Sequence, residues 1–286
     1  MGRLVVIAVH GVSDSILKPG YSSNFFSLVL EELKDIGVVP RGADQQQVDS
    51  IVKFQEANYS KYGVDAENRV EAAFRQDRDR LFSPITRFVN QIALLDRGRH
   101  LFMTVASDVF TYQLEDCKAR IRQDVYDTIT PYVGTGDMVS VAGHSLGSVV
   151  AFDSIYYNVW NDLAWKKANF TPSNLFTFGS PLLLFSLDPE ACAPFKQKAR
   201  YDPNTPLDKL LQPGGVWYNF LDPQDLIAQP LAAYFQKKYP VTDVVVDTGI
   251  DPYSAHLNYW KNRKMARSIA ERLKLDYARM KSPTLP

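Results

Sequence analysis

Cysteine, net charge and long uninterrupted apolar runs are all scarce in this chain. Only two cysteines, Cys117 and Cys192, occur in 286 residues. Two cysteines cannot form a disulfide framework, and neither lies in a C-x-x-C pair or in a cluster with metal-ligand spacing. We therefore expect two reduced thiols and a reducing compartment, so the cytoplasm is the expected location.

The charges are balanced, with 32 basic and 32 acidic residues and no long block of one sign. This composition does not indicate nucleic acid or an anionic surface as a partner. The most apolar stretch, 138–159, is interrupted by glycine, histidine, serine and aspartate, and a buried strand followed by a buried helix explains it better than a membrane span. The apolar run at 4–9 leads into His10 without a small-residue cleavage site, which indicates a core strand rather than a signal peptide. No integral membrane segment is expected.

What the chain does contain is apolar strands that alternate with helical segments. Their patterns predict strands at 4–9, 48–54, 138–142, 175–178, 216–220 and 241–247, and helices at 24–36, 117–132 and 256–274. This alternation is typical of an α/β fold with a mostly parallel sheet covered on both faces. Length and a 45% hydrophobic content fit a single domain over 1–286. Residues 58–116 are charged and aromatic by turns, and they form its candidate lid or cap insertion.

A Gly-x-Ser-x-Gly pattern lies between the strand at 138–142 and the helix after it. Gly143, Ser145 and Gly147 occupy its fixed positions. In this context the serine falls on a sharp strand-to-helix turn that holds its hydroxyl clear of the sheet, and the glycines let strand and helix approach closely. Ser145 is therefore the candidate nucleophile. The alternative is a glycine-rich turn whose serine only caps the helix.

A serine nucleophile needs a base and a carboxylate that orients the base. The chain has four histidines: His144 lies beside the serine, His10 ends the first strand, and His100 belongs to the candidate lid. His256 follows the last predicted strand, which places it with the serine at the carboxyl end of the sheet. It is the candidate base, with a helix-capping histidine as the alternative.

The acid of such a site follows the serine and precedes the histidine in the chain. Asp222 and Asp225 both lie in the loop after the strand at 216–220, at the required end of the sheet. Asp222 precedes a proline, where aspartate often caps a turn. Both stay candidates on this reasoning, and Asp247 and Asp251 rank below them.

Acyl transfer also needs N–H donors for an oxyanion and a place for the acyl group. Leu146 follows the serine at the start of a helix and Val12 lies in the loop after the first strand, so their amides are the predicted oxyanion hole. Leu182 and Leu183 follow the strand at 175–178 at the same end of the sheet. They are the predicted substrate-binding residues, although core packing is the commoner use of such side chains.

Taken together, these segments resemble the α/β-hydrolase superfamily, and within it bacterial lipase-like or esterase-like hydrolases. The motifs are HGV at 10–12, VAGHSLGS at 141–148, TFGSP at 177–181, DPQD at 222–225 and HLNYW at 256–260. Similar proteins carry the acid in an Asp-rich loop after a tryptophan-containing strand and the base just before a Tyr-Trp pair. The resemblance therefore implies Asp225 as the acid and His256 as the base.

The same resemblance implies a carboxylic ester hydrolase that acts on a small-molecule ester or a lipid through an acyl-enzyme, with no metal or organic cofactor. Thioesterase, amidase or acyltransferase chemistry would use the same residues. An alternative of another class is a non-catalytic hydrolase-fold module that binds a lipid or a protein partner. The resemblance does not extend to the candidate lid, where substrate choice is often decided.

Overall fold

The described residues contain six parallel strands that form one sheet. In this computed structural model the described residues are 2–11, 20–59, 112, 115–185, 209–235 and 241–282. The strands are β1 (Leu4–Val9), β2 (Val52–Ala57), β3 (Met138–His144), β4 (Asn174–Phe178), β5 (Val216–Leu221) and β6 (Val241–Val245). They lie in the order β2-β1-β3-β4-β5-β6, and every neighbouring pair is parallel. All the carboxyl ends therefore share one edge of the sheet.

Helices connect the strands and cover them. The described helices are α1 (Ser23–Asp35), α2 (Gln45–Ile51), α3 (Glu115–Ile129), α4 (Leu146–Asn161), α5 (Leu163–Lys167), α6 (Leu182–Phe185), α7 (Ala232–Phe235), α8 (Pro252–Leu257) and α9 (Arg263–Lys281). Short 3₁₀ turns lie at Thr130–Tyr132 and Tyr259–Lys261. No described helix is long and apolar enough to cross a membrane.

The interior strand β1, which pairs with β2 and β3, shows why both faces of the sheet are covered. All six of its residues are buried. Its odd-numbered side chains join a hydrophobic cluster with α3 and α4, and its even-numbered ones join a second cluster with α1 and α9. Successive side chains of a strand point to opposite faces, so a wholly apolar strand needs an apolar layer on each side. The predicted fold class, α/β with a parallel sheet and helices on both faces, is confirmed.

The strand predicted at 48–54 begins later than expected. Residues up to Ile51 belong to α2, and Val48 is buried as a helical residue. Asp44 accepts a hydrogen bond from the Gln47 N–H, and the Gln47 side chain accepts one from the Asp44 N–H. This capping box starts a helix within the apolar pattern, and β2 begins only at Val52.

The helix predicted at 256–274 is divided into two. α8 ends at Leu257, and α9 begins at Arg263 after a 3₁₀ turn. Asn262 caps α9 by accepting a hydrogen bond of 2.9 Å from the Met265 N–H. His256 therefore lies in the last turn of a short helix, next to a change of direction. Most of the candidate lid lies outside the described residues, so that division of the chain stays a prediction.

Candidate active site

The turn between β3 and α4 carries Ser145. Its φ of 51° and ψ of −129° are unusual for a residue other than glycine, and such a backbone costs about 1–3 kcal/mol. The Ser145 N–H donates to the Phe178 carbonyl at 3.0 Å, and the Ser145 carbonyl accepts from the Ser148 N–H at 3.0 Å. These bonds to β4 and to the first turn of α4 offset the strain, and they hold the hydroxyl at the carboxyl edge of the sheet.

Three glycines let backbone segments approach each other around this turn. A Cβ at Gly147 would lie 2.1 Å from the His10 carbonyl oxygen, so α4 packs directly on the end of β1. A Cβ at Gly143 would lie 2.6 Å from the α4 backbone, and one at Gly11 would lie 2.9 Å from the Ser145 Cβ. Side chains at these positions would collide with backbone or with the serine itself. The glycines of the motif are therefore explained by packing.

Two buried hydroxyls brace the turn further. Ser148 Oγ lies 2.5 Å from the Ser145 carbonyl oxygen and 2.6 Å from Ser180 Oγ, and the Leu182 N–H donates to Ser180 Oγ at 3.2 Å. A carbonyl can only accept and each hydroxyl has one hydrogen, so Ser148 donates to Ser145 and Ser180 donates to Ser148. This chain of bonds ties the Ser145 turn to the loop after β4.

Ser145, His256 and Asp225 form a continuous line of hydrogen bonds. Ser145 Oγ lies 2.9 Å from His256 Nε2, and His256 Nδ1 lies 3.0 and 2.9 Å from the two oxygens of Asp225. The side chains of His256 and Asp225 are fully buried. Because an ionised carboxylate only accepts, Nδ1 of the neutral ring carries the hydrogen and Nε2 can take the serine proton.

Asp225 is surrounded by donors. Oδ1 accepts from the Ile227 N–H at 2.9 Å, and Oδ2 accepts from the Tyr259 hydroxyl at 3.0 Å, in addition to the contacts with His256. Burial by itself raises the pKa of Asp225. The charge and hydrogen bond of His256, with the Ile227 and Tyr259 donors, outweigh burial, so the pKa lies below its usual value. Asp225 is therefore a carboxylate at neutral pH.

Asp222 has different partners. Its Oδ1 accepts from the Gln224 N–H at 2.8 Å, and its Oδ2 accepts from the N–H and the hydroxyl of Thr248 at 2.6 and 2.9 Å. Burial raises the pKa of Asp222, but these donors outweigh it and the pKa is lowered. Asp222 thus bridges the loop after β5 and the segment before α8. Of the two candidates, Asp225 is the carboxylate beside His256.

Two other described histidines, His144 and His10, contact backbone atoms rather than Ser145. His144 Nε2 lies 2.7 Å from the His256 carbonyl oxygen, so this nitrogen carries a hydrogen. Burial and the neighbouring charge of His256 lower the pKa of His144 to about 3. His10 stacks on the Tyr59 ring at 4.2 Å and contacts the Gly11 carbonyl through Nδ1, while the Tyr59 N–H donates to its Nε2 at 3.2 Å. Burial lowers its pKa as well.

Of the other predicted site residues, the structure describes Leu146, Leu182 and Leu183 but not Val12. Leu146 is the first residue of α4, where backbone N–H groups have no acceptor within the helix. Val12 lies outside the described residues. Leu182 is fully buried in the same hydrophobic cluster as Leu146, and Leu183 packs half-buried against that cluster. The oxyanion-hole and acyl-pocket roles of these residues stay predictions.

Several polar residues around the site were not assigned a role from sequence. Thr248 lies in no motif. Ser148 and Ser180 lie in the motifs at 141–148 and 177–181, but their contact joins segments far apart in the chain, so neither motif reveals it. Tyr259 carried a weak signal, since it lies three residues after the candidate base in the Tyr-Trp pair. Its contact with Asp225 depends on the 3₁₀ turn after α8, which the apolar pattern does not reveal.

The elements that carry these residues have the arrangement of the α/β-hydrolase fold. Ser145 follows β3, Asp225 follows β5 and His256 follows β6, so the side chains meet at the carboxyl edge in the chain order Ser, Asp, His. Within the described ranges, no group of three or more His, Cys, Asp or Glu side chains could hold a metal ion. What lies together is a hydroxyl, an imidazole and an ionised carboxylate, which together can remove and return a proton.

Comparisons with known proteins give only weak similarity. Neither protein-family models nor curated protein sequences match this chain. A solved cutinase-like protein from Cryptococcus sp. is 10% identical with a TM-score of 0.38, over 96% of this chain and 94% of that one. ClbQ from the colibactin NRPS/PKS pathway is 12% identical with a TM-score of 0.41, over 96% and 100%. An esterase from Rhizomucor miehei is 12% identical with a TM-score of 0.39, over 98% and 76%. Similarity at this level identifies neither reaction nor substrate.

Proposed function

We propose that this protein is a serine hydrolase that cleaves carboxylic esters, with an acyl ester or a lipid as its substrate. The observation that supports this most directly is the unbroken line from Ser145 Oγ through both nitrogens of His256 to Asp225. A buried imidazole held between a hydroxyl and a carboxylate is the arrangement that activates a serine nucleophile.

The proposed reaction proceeds through an acyl-enzyme. Ser145 Oγ attacks the ester carbonyl carbon while its proton passes to His256 Nε2, and Asp225 stabilises the imidazolium. The N–H groups of Leu146 and Val12 bind the oxyanion. The bond to the alcohol oxygen breaks as His256 gives that oxygen its proton. Water then transfers a proton to His256 and attacks the acyl carbon, and Ser145 regains its proton as the acid leaves.

Apolar side chains in the segments at the carboxyl edge of the sheet favour an apolar acyl group. Leu226 is 73% exposed although it lies beside Asp225, and Ile250 is 91% exposed in the segment that leads to α8. Leu183 is half-buried after β4. A lipid or long-chain ester would give these side chains an apolar partner at the same edge of the sheet as the serine.

Hydrolysis of p-nitrophenyl esters from short to long acyl chains tests the proposal. The wild type is compared with Ser145→Ala, which removes the nucleophile, and with Ser268→Ala, which removes an exposed hydroxyl on α9. We expect Ser145→Ala to lower kcat by at least about 10³-fold at every chain length, and Ser268→Ala to leave it unchanged. Turnover that persists in folded Ser145→Ala would contradict the proposed nucleophile.

The same protein preparations distinguish ester hydrolysis from thioesterase or amidase activity and from a non-catalytic binding role. A thioester and an amide of the preferred acyl chain show which acyl bond is cleaved fastest, because all three would use the same residues. A fluorophosphonate probe reports serine activation without a matched substrate. A folded wild type that neither turns over any ester nor reacts with the probe would favour the non-catalytic binding module.

A further inference from the structure

Tyr259 lies against the carboxylate of the proposed site. Its ring is fully buried, and its hydroxyl oxygen is 3.0 Å from Asp225 Oδ2. The backbone N–H of Asp222 donates to the same hydroxyl oxygen at 2.8 Å. The hydroxyl therefore joins the two ends of the DPQD segment, one through backbone and the other through its side chain.

The direction of these bonds follows from counting hydrogens. The Asp222 N–H can only donate, so the Tyr259 oxygen accepts from it. The hydroxyl has one hydrogen of its own, and Asp225 is an acceptor-only carboxylate, so that hydrogen points to Asp225 Oδ2. Burial and the negative charge of Asp225 raise the pKa of Tyr259. The phenol therefore stays protonated and remains a donor wherever the protein is folded and active.

The ring itself is held in place on several sides. It packs beside His144 and Phe178, with ring centroids 5.7 and 6.0 Å apart. Gly179, at a φ of 58°, closes a third side, because a Cβ there would lie 2.9 Å from Tyr259 Cε2 and 3.2 Å from Asp225 Oδ2. A glycine with left-handed backbone thus makes room for the contact between the tyrosine and the aspartate.

We infer that Tyr259 is a positioning residue of the site, whose hydroxyl fixes the Asp225 carboxylate toward His256 and shares its negative charge. This inference rests on the proposed serine hydrolase function. Asp225 Oδ1 is fixed by the Ile227 N–H, and Oδ2 has Tyr259 as its donor besides His256. Without the hydroxyl, Oδ2 loses its donor other than His256, and more of the negative charge stays on the carboxylate, both oxygens of which face the imidazole.

Tyr259→Phe tests the inference, because it removes one oxygen and keeps the ring. Loss of a hydrogen bond to a charged group predicts a kcat lower by about tenfold with KM within about twofold, since substrate does not contact Tyr259. The charge concentrated on Asp225 should move the acid limb of the kcat/KM profile to higher pH. Among the described residues, the ionisable groups that face Asp225 are His256, His144 and Tyr259, and only Tyr259 is changed.

Tyr277→Phe is the matched control. Tyr277 is half-buried near the C-terminal end of α9, where it packs against the same hydrophobic cluster as Tyr259 and contacts Lys281. We expect wild-type kcat and an unmoved acid limb in this variant. If Tyr259→Phe also gives wild-type kcat and an unmoved acid limb, or if the limb moves to lower pH, the inference is wrong and Tyr259 only fills space.

An NMR measurement tests the inference separately from activity. The His256 Nδ1 hydrogen, bonded to a buried carboxylate, should give a resonance downfield of the amide region that disappears in His256→Ala. Tyr259→Phe should change its chemical shift, and Tyr277→Phe should not. A wild type without ester turnover but with this response would contradict the proposed reaction and support the positioning role. An unchanged resonance in Tyr259→Phe would overturn the positioning role whatever the activity.

Discussion

Asp222 and Asp225 are three positions apart, yet their carboxylates have separate tasks. Asp222 accepts from Gln224 and Thr248, which joins two loops. Asp225 accepts from His256 and from the donors around it. Sequence reasoning from the residues left the two open, because both follow the same strand at the same edge. Only the family resemblance favoured Asp225.

Separate substitution of the two aspartates tests this division. Asp225→Asn should lower kcat by about 10⁴-fold, because the amide can donate to His256 Nδ1 and favour the wrong tautomer. Asp222→Asn should keep kcat within about tenfold and lower the free energy of unfolding by about 1–3 kcal/mol, since its donors lose a charged acceptor. Ester turnover and urea unfolding measure both effects. A loss of activity confined to Asp222→Asn would contradict the assignment.

The buried hydroxyl of Ser148 leads to a second prediction. Ser148→Ala leaves the Ser145 carbonyl with a single donor and the Ser180 hydroxyl without the acceptor described above. An unmet buried group costs about 1–3 kcal/mol, and the strained Ser145 backbone is held less firmly. We expect lower stability in urea and slower reaction with a fluorophosphonate probe. The exposed Ser268→Ala is the control, and equal behaviour of the two variants would contradict this role.

Whether a residue's role could be predicted from sequence depended on how far apart in the chain the interacting residues lie. Ser145 was predicted as the nucleophile because its motif is continuous, and His256 as the base because it follows the last strand. Tyr259, Ser148 and Thr248 were missed because their partners come from other loops. Hydrogen bonds between segments that are distant in the chain produce no periodic pattern in the sequence.

At the scale of elements, Gly147 sets how closely α4 approaches β1. A Cβ at this position would lie 2.1 Å from the His10 carbonyl oxygen, and a backbone atom cannot move aside cheaply. Gly147→Ala should therefore lower the free energy of unfolding by about 2–3 kcal/mol and shift the Ser145 turn, with a corresponding loss of turnover. Urea unfolding and ester hydrolysis measure the two effects.

Gly42→Ala is the control for that substitution. Nothing lies within 4 Å of a Cβ built at Gly42, and it is exposed. We expect its stability to stay within about 0.5 kcal/mol of the wild type. If Gly147→Ala were as harmless as Gly42→Ala, the close packing of α4 on β1 would not be the reason for glycine in the motif.

Strands were predicted better than helix boundaries. β1, β3 and β4 are wholly buried, β5 is partly buried and β6 is a more exposed edge strand, yet the apolar runs of all five identify them within two residues at either end. The start of β2 was missed because Val48 faces the core from a helix as readily as from a strand. The last helix was predicted as one segment because an apolar pattern continues through Tyr259 and Trp260, whereas the Asn262 cap begins a new helix. Caps and turns, rather than hydrophobicity, decide such boundaries.

For the whole molecule, two of the buried histidines, His10 and His144, link folding to pH. His10 is 1% and His144 is 1% exposed, and burial lowers the pKa of both, that of His144 to about 3. In the unfolded chain each should titrate near 6.5. Both groups are therefore neutral in the folded protein at a pH where the unfolded chain already binds protons. Their contribution to stability is present above pH ~6.5 and is lost as pH falls toward the folded pKa values.

His144→Gln removes the group that titrates at position 144 and leaves His10 in place. The glutamine keeps an N–H donor that can reach the His256 carbonyl. Each proton taken up only by the unfolded chain changes the free energy of unfolding by about 1.4 kcal/mol per pH unit. Between pH ~6 and ~4.5, above the range where Asp222 and Asp225 titrate, the wild type should lose stability more steeply than His144→Gln by about this amount. Above pH ~7.5 the two slopes should agree. Urea unfolding at half-unit steps measures both slopes, and parallel curves from pH ~4.5 to ~8 would show that His144 titrates alike in the folded and unfolded chain.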